Sequence, residues 1–122
     1  IGYNKYEVSN VTCDAVVGVN GATVTCDIEN LGDRDGADVV QVYIGHKNKP
    51  EAPIYQLIAF DKVWLKAGEK KSVTFDISVD RFMLYNNDGE LLLEDSDAVI
   101  YVGTCSPVKD ELCKTVDISI RS

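Results

Sequence analysis

The chain has 122 residues, 45% hydrophobic and 26% charged, with twelve basic against twenty acidic side chains and a formal charge of −8. That length supports one domain able to bury about two thirds of its unfolded surface, and the composition excludes intrinsic disorder. The negative balance argues against nucleic acid and anionic membranes as partners, since both need a basic face, and no apolar run approaches the roughly 18 residues that span a bilayer.

The opening residues, IGYNKYEVSN, have neither signal-peptide nor transit-peptide character, and a start without Met reads as a mature protein or an excised fragment. Asn10-Val11-Thr12 is a glycosylation sequon, which makes Asn10 a candidate glycan acceptor. Turn residues at Gly18–Gly21 precede Val24, Cys26 and Ile28, which alternate with Thr23, Thr25, Asp27 and Glu29. Period two of this kind predicts a strand with one face toward a core and one toward water. Gly32–Gly36 is a second turn cluster, followed by Val39–Ile44, apolar enough to be a central strand. His46, the only histidine, stands beside Lys47 at the start of the loop Lys47–Pro53 and reads as a solvated loop side chain. Val63 and Leu65 flank Trp64, so if those two point inward the indole points out.

Ala67–Lys70 is a turn, and Val73, Phe75, Ile77 and Val79 then alternate with Ser72, Thr74, Asp76 and Ser78. No window keeps a helical stripe; Arg81–Tyr85 supports at most one short turn. Asn86–Gly89 is turn material, Ala98–Val102 a second central strand, Ser106–Asp110 a loop, and Val116, Ile118 and Ile120 alternate in a last strand. About seven strands with such punctuation predict an all-β fold, an immunoglobulin or fibronectin III-like antiparallel β-sandwich. Its expected core is Val24, Ile28, Val40, Val42, Ile44, Val73, Phe75, Ile77, Ile100 and Val102.

The stretch Asn30–Gly36 then joins strands in opposite sheets, so it must turn sharply. Gly32 and Gly36 supply backbone freedom, while Asp33 and Asp35 can accept from nearby N–H groups. A calcium loop is the sharper alternative, but Leu31 breaks the ligand pattern and no glutamate follows at the EF-hand distance. The turn is the better reading, and no metal or cofactor is expected.

Cys13, Cys26, Cys105 and Cys113 lack zinc-like CxxC spacing and imply two disulfides in an oxidising compartment. Three pairings are open. If the first two strands form a hairpin through Gly18–Gly21, Cys13 lies beside Cys26; Cys105 and Cys113 flank the loop between the last two strands. Cys13–Cys26 and Cys105–Cys113 are therefore expected, with an immunoglobulin-like Cys26–Cys105 bridge as the competitor.

Several motifs occur together and in order. ENLGDRDGADVVQVYIG resembles the corner of the fibronectin type III-like domain that ends many family 3 glycoside hydrolases, the β-glucosidases, β-xylosidases and related enzymes. Gln56–Val63 resembles that domain's leucine–glycine–phenylalanine strand, Leu65–Glu69 its leucine–lysine–proline–glycine–glutamate turn, Lys71–Phe75 the strand after it, and Val102–Ser106 its valine–glycine–x–serine–serine segment. Gly2-Tyr3 and Tyr6–Ser9 resemble the linker from the catalytic part, so residues 1–10 are expected to be linker plus the start of the first strand, and 11–122 the sandwich. The departures are Ala59 for glycine, Ala67 for proline, Glu94–Asp97 for a proline–glycine turn, and the cysteines, which are not part of the family pattern.

The resemblance implies a module without catalysis of its own, since the family's aspartate nucleophile and glutamate acid/base lie in upstream domains and no position here matches either motif. Its implied partners are those catalytic domains, with secretion to the cell exterior. Tyr43, Tyr55, Trp64 and Tyr85 are candidates for stacking on polysaccharide or packing on a neighbouring domain. The alternative is an autonomous secreted carbohydrate-binding or adhesion module. A planar row of exposed rings favours it, whereas an apolar patch with a polar rim favours docking on an enzyme body.

Overall fold

The computed structural model describes residues 5–50, 52–105 and 113–122. The alternating segments become strands: β1 (Tyr6–Cys13), β2 (Val16–Val17), β3 (Ala22–Asn30), β4 (Gly36–His46), β5 (Gln56–Leu65), β6 (Lys70–Ile77), β7 (Leu84–Tyr85), β8 (Leu91–Leu92), β9 (Ser96–Gly103) and β10 (Cys113–Ile120). The long ones number seven, as expected, and the other three are two-residue strands. One sheet has the order β1-β3-β6 and the other β2-β10-β9-β4-β5; β7 and β8 form a separate small hairpin. All pairings are antiparallel except β2 on β10.

The inner faces of both sheets contribute to one buried cluster, which contains all ten expected core residues. β4 and β9, the two continuously apolar runs, are neighbours in the interior of the five-stranded sheet. The largest fully buried side chain, Phe82, comes from a single 3-10 turn, Val79–Phe82, at the end of β6. The sequence placed at most one short turn nearby, at Arg81–Tyr85, and read Val79 into the strand; one turn has no periodicity to fix its bounds.

The corner between β3 and β4 crosses from one sheet to the other, as expected. Asn30, fully buried, is its hub. Its Nδ2 donates to the carbonyl oxygens of Arg34 (2.7 Å) and Leu65 (3.3 Å), and its Oδ1 accepts from the Gly32 N–H at 2.9 Å. The Asn30 backbone exchanges bonds with Glu69 O and Gly68 N, both 2.9 Å, and Asp35 Oδ1 accepts from the Ala67 N–H at 2.9 Å. The corner is thereby tied to the β5–β6 turn by the Asn30 backbone, the Asn30 amide as donor and the Asp35 carboxylate as acceptor, with no cluster of three metal-ligating residues among the described residues.

The structure does not support the disulfide expectation. Cys13, Cys26 and Cys105 are free thiols, and the Cys113 Sγ donates to the carbonyl oxygen of Cys105 at 3.6 Å. The reason is register. Gly18 does bridge Gly21, the hairpin closure that would put Cys13 opposite Cys26. Between them, however, β2 leaves for the other sheet, and Cys13 ends opposite Val24. Cys26 instead faces a β-bulge between Ser9 and Thr12, where Asn10 has φ +51°. Diagonal neighbours on adjacent strands are about 7–8 Å apart at Cα, beyond ordinary disulfide reach. Cys26 lies in the core, and the competing Cys26–Cys105 bridge is not formed either. The loop between Cys105 and Cys113 lies outside the described residues.

Candidate functional site

The outer faces of the two sheets differ sharply. On the three-stranded sheet the outward residues include Thr12, Thr23, Thr25, Asp27, Ser72, Thr74 and Asp76, and all of these but Thr74 take part in side-chain hydrogen bonds across the face. Thr12 pairs with Thr25, Thr23 donates to Asp76 at 3.2 Å, and Asp27 accepts from Asn10 (2.8 Å) and Ser72 (2.7 Å). Those two bonds, Asn10 first, lower the Asp27 pKa below the usual carboxylate value. This face is complete with water alone.

The five-stranded sheet is different. Val40, Val42 and Ile44 of β4 point into the core, so Val39, Gln41 and Tyr43 point outward. Across from them on β5 stand Lys62, Phe60 and Leu57, with Trp64 opposite Ala37; Tyr101 of β9 lies beside Tyr43 on the other side. Phe60 is 66% exposed, Trp64 59% and Leu57 40%. Val63 and Leu65 are buried, so the indole does point out as their flanking positions implied. The outer face over β5, β4 and β9 is thus largely apolar, with Gln41 and Lys62 interspersed. At its lower end Tyr55 meets Tyr101 edge to face, ring centroids 5.3 Å apart. Gly45 makes room for that pair: a Cβ there would come within 3.3 Å of the Tyr101 ring and 3.2 Å of Ile54 O. Exposed apolar surface of this kind on a sheet is what interaction sites are commonly built from.

Three of the four sequence-marked aromatics, Tyr43, Tyr55 and Trp64, belong to this face or its border, whereas Tyr85 is carried away on β7. Trp64 and Leu57, beside Tyr43, are seven residues apart on β5, roughly 20 Å at strand rise, so the rings do not make one short row. Phe60, the most exposed ring of β5, was not singled out in sequence although it shares the parity of Trp64; the bulge at Ile58, between the pairs Val42–Ala59 and Tyr43–Leu57, brings Leu57 onto the same face.

A pocket of about 420 Å3 opens at the same end as Tyr55, between the β4–β5 connection, the 3-10 turn and the β7–β8 hairpin. Gln56, Asp80 and Arg81 supply its polar lining, and Pro53, Met83, Leu84, Tyr85 and Leu91 most of its apolar walls.

His46 is not the solvated loop residue expected. It ends β4 opposite Ala98, with both ring nitrogens buried and unbonded. Burial first, and the Lys49 charge second, lower its pKa below 6.5. The Cys13 and Cys26 thiols are each pushed up to about 11, chiefly by burial and then by Asp14 and Asp27 respectively, which makes them poor nucleophiles. Asn10 is exposed on the polar sheet. No helix among the described residues is long and apolar enough to cross a membrane.

Residues 38–106 match the family model described as the fibronectin type III-like domain. Over 99% of its length the chain is 33% identical to the exo-α-(1→6)-L-arabinopyranosidase of Bifidobacterium breve, and over 87% it is 30% identical to the periplasmic β-glucosidase of Salmonella typhimurium. It superposes on the β-glucosidase of Listeria innocua in complex with gluconolactone with a TM-score of 0.85 at 28% identity, covering 98% of the chain. On the Bifidobacterium adolescentis family 3 β-glucosidase the TM-score is 0.83 at 30% identity, covering 97%. In each case it spans only 14–17% of the other protein. The chain belongs to the fibronectin type III-like domain family, in the form found inside family 3 glycoside hydrolases.

Proposed function

We propose that the chain is a non-catalytic accessory module of a secreted family 3 β-glycosidase in carbohydrate metabolism, held against the enzyme's catalytic domains by the outer face of β5, β4 and β9. The observation that carries this is the asymmetry between the outer faces: one is a closed network of hydroxyls and carboxylates, the other a surface of exposed Trp64, Phe60 and Leu57. The relatives' additional length supplies the partner of matching size. Retaining hydrolysis would need two carboxyl groups about 5 Å apart, one with a raised pKa. Among the described residues the carboxylates with displaced values, Asp27 and Asp95, are displaced downward, the latter mainly by the Ser122 backbone N–H. Secretion is supported by a relative named as periplasmic, and the Asn10 sequon lies on the polar sheet, where a glycan would leave the apolar face free. The autonomous carbohydrate-binding alternative is less favoured because Tyr43, Tyr55, Trp64 and Tyr85 are spread over β4, the β4–β5 connection, β5 and a separate hairpin.

The test is Phe60→Glu with Trp64→Glu in the full-length enzyme that carries the chain. Both side chains are exposed, so the isolated chain should change by less than about 0.5 kcal/mol. The catalytic body should melt earlier, and the module should become susceptible to limited proteolysis. An unchanged full-length enzyme would refute the docking face. Turnover of an aryl glucoside or xyloside by the purified chain, abolished by one carboxylate substitution, would refute the non-catalytic role.

A further inference from the structure

The pocket beneath the β7–β8 hairpin is not used by the docking reading, and its lining is chemically specific. Asp80 and Arg81 are the two charged residues of the lining and opposite in sign, so the lining carries no net charge. Arg81, at the rim, has no side-chain partner among the described residues, and neither has the Gln56 amide. The Asp80 carboxylate is oriented by a hydrogen bond with the Ser78 hydroxyl. In the same lining Tyr85 is 67% exposed, and Met83 and Leu84 supply apolar wall. The occupant that fits is neutral, carries both donors and acceptors along its edge, and has one apolar face to lay on an aromatic ring. A pyranose has those properties: axial C–H groups on a face, hydroxyls around the rim. A volume of about 420 Å3 lies within the 300–1,000 Å3 of small-ligand sites.

We propose that this pocket binds a pyranose unit of a neutral saccharide, stacked on Tyr85 and hydrogen-bonded by Gln56, Asp80 and Arg81. The site adjoins the docking face at Arg81, which also lines a shallow groove with Leu57 and Phe60, whereas Trp64 lies at the far end of β5. The site depends on the hairpin, which brings Tyr85 over residues that precede it by about thirty positions in sequence.

The 15N-labelled chain is titrated with methyl β-D-glucopyranoside and with cellobiose, and backbone amide shifts are followed by NMR. Saturable shifts confined to Gln56, Arg81, Tyr85 and their neighbours are expected, with dissociation constants in the millimolar range. Tyr85→Ala and Arg81→Ala should each weaken binding about tenfold or more. Both positions are exposed, so the variants keep the wild-type spectrum elsewhere. Trp64→Glu should leave the affinity unchanged, which separates this site from the docking face. Absence of saturable shifts with either sugar overturns the proposal. So do shifts centred on Trp64 and Phe60, which would instead support stacking on the sheet, and so does binding undiminished in both pocket variants.

Discussion

Replacing Asn30 with Ala should destabilise the chain by about 2–4 kcal/mol. The substitution removes the bonds to Arg34 O, Leu65 O and the Gly32 N–H at a fully buried position. A neutral hydrogen bond contributes about 1 kcal/mol net, and a buried group left without a partner costs about 1–3 kcal/mol. Arg34 is exposed, so its carbonyl can recover water; Leu65 is fully buried, but its bond is long at 3.3 Å. The sum therefore falls near 3 kcal/mol, and for a domain of this length that lowers Tm by roughly 12 °C. Asn30→Asp is the discriminating control. It keeps an acceptor for Gly32 but turns a carboxylate oxygen toward two carbonyl oxygens, so it should be at least as damaging as Ala. Urea unfolding gives the free energy with an unchanged slope, and hydrogen exchange should show the amides of Gly32, Gly68 and position 30 itself opening first. If Asn30→Ala lies within about 0.5 kcal/mol of the parent, or Asn30→Asp matches the parent, Asn30 is not the hub described.

Phe82→Ala removes the largest fully buried side chain and should cost about 3–5 kcal/mol; a chevron or melt showing under 1 kcal/mol would mean that the 3-10 turn does not close the core. Gly21→Ala should be severely destabilising or prevent folding, since Gly21 has φ +71° and its Cβ would lie 2.0 Å from Ile77 O; a soluble variant of parental Tm would contradict that geometry. Between pH 7.5 and 5 stability should fall, because the His46 pKa is lowered in the fold. The unfolded state then binds the proton more readily, so the contribution is present above the unfolded value of about 6.5 and lost as pH drops through the folded one. His46→Gln should flatten the profile of urea midpoints, and a flat parental profile would remove the buried histidine from the account. Cys13 and Cys26 should react with a thiol reagent only slowly until the chain is unfolded; a linked Cys13–Cys26 peptide in non-reducing mapping would reverse the register argument.

Alternation of apolar and polar residues identified the sandwich, its long strands and the ten expected core positions. Side-chain period reports which face of a strand is buried, and that is a local property. The orientation of Trp64 followed from the same rule, and the ordered motifs from ENLGDRDG to VGTCS identified the domain family. What the local pattern could not contain was pairing between distant segments. The switch of β2 into the second sheet and the bulge at Asn10 shift the β1–β3 register, and with it the neighbours of Cys13 and Cys26. Asn30 is a hub only because Leu65 arrives from thirty-five residues away. His46 is buried only because the β4–β5 connection and the start of β9 pack around it. The pocket exists only because a two-residue hairpin, too short to show any period, folds over the start of β5. The amino-acid order determined which surfaces are apolar; the three-dimensional pairing of its segments decided which groups meet, because register and sheet exchange are set by contacts that no local window includes.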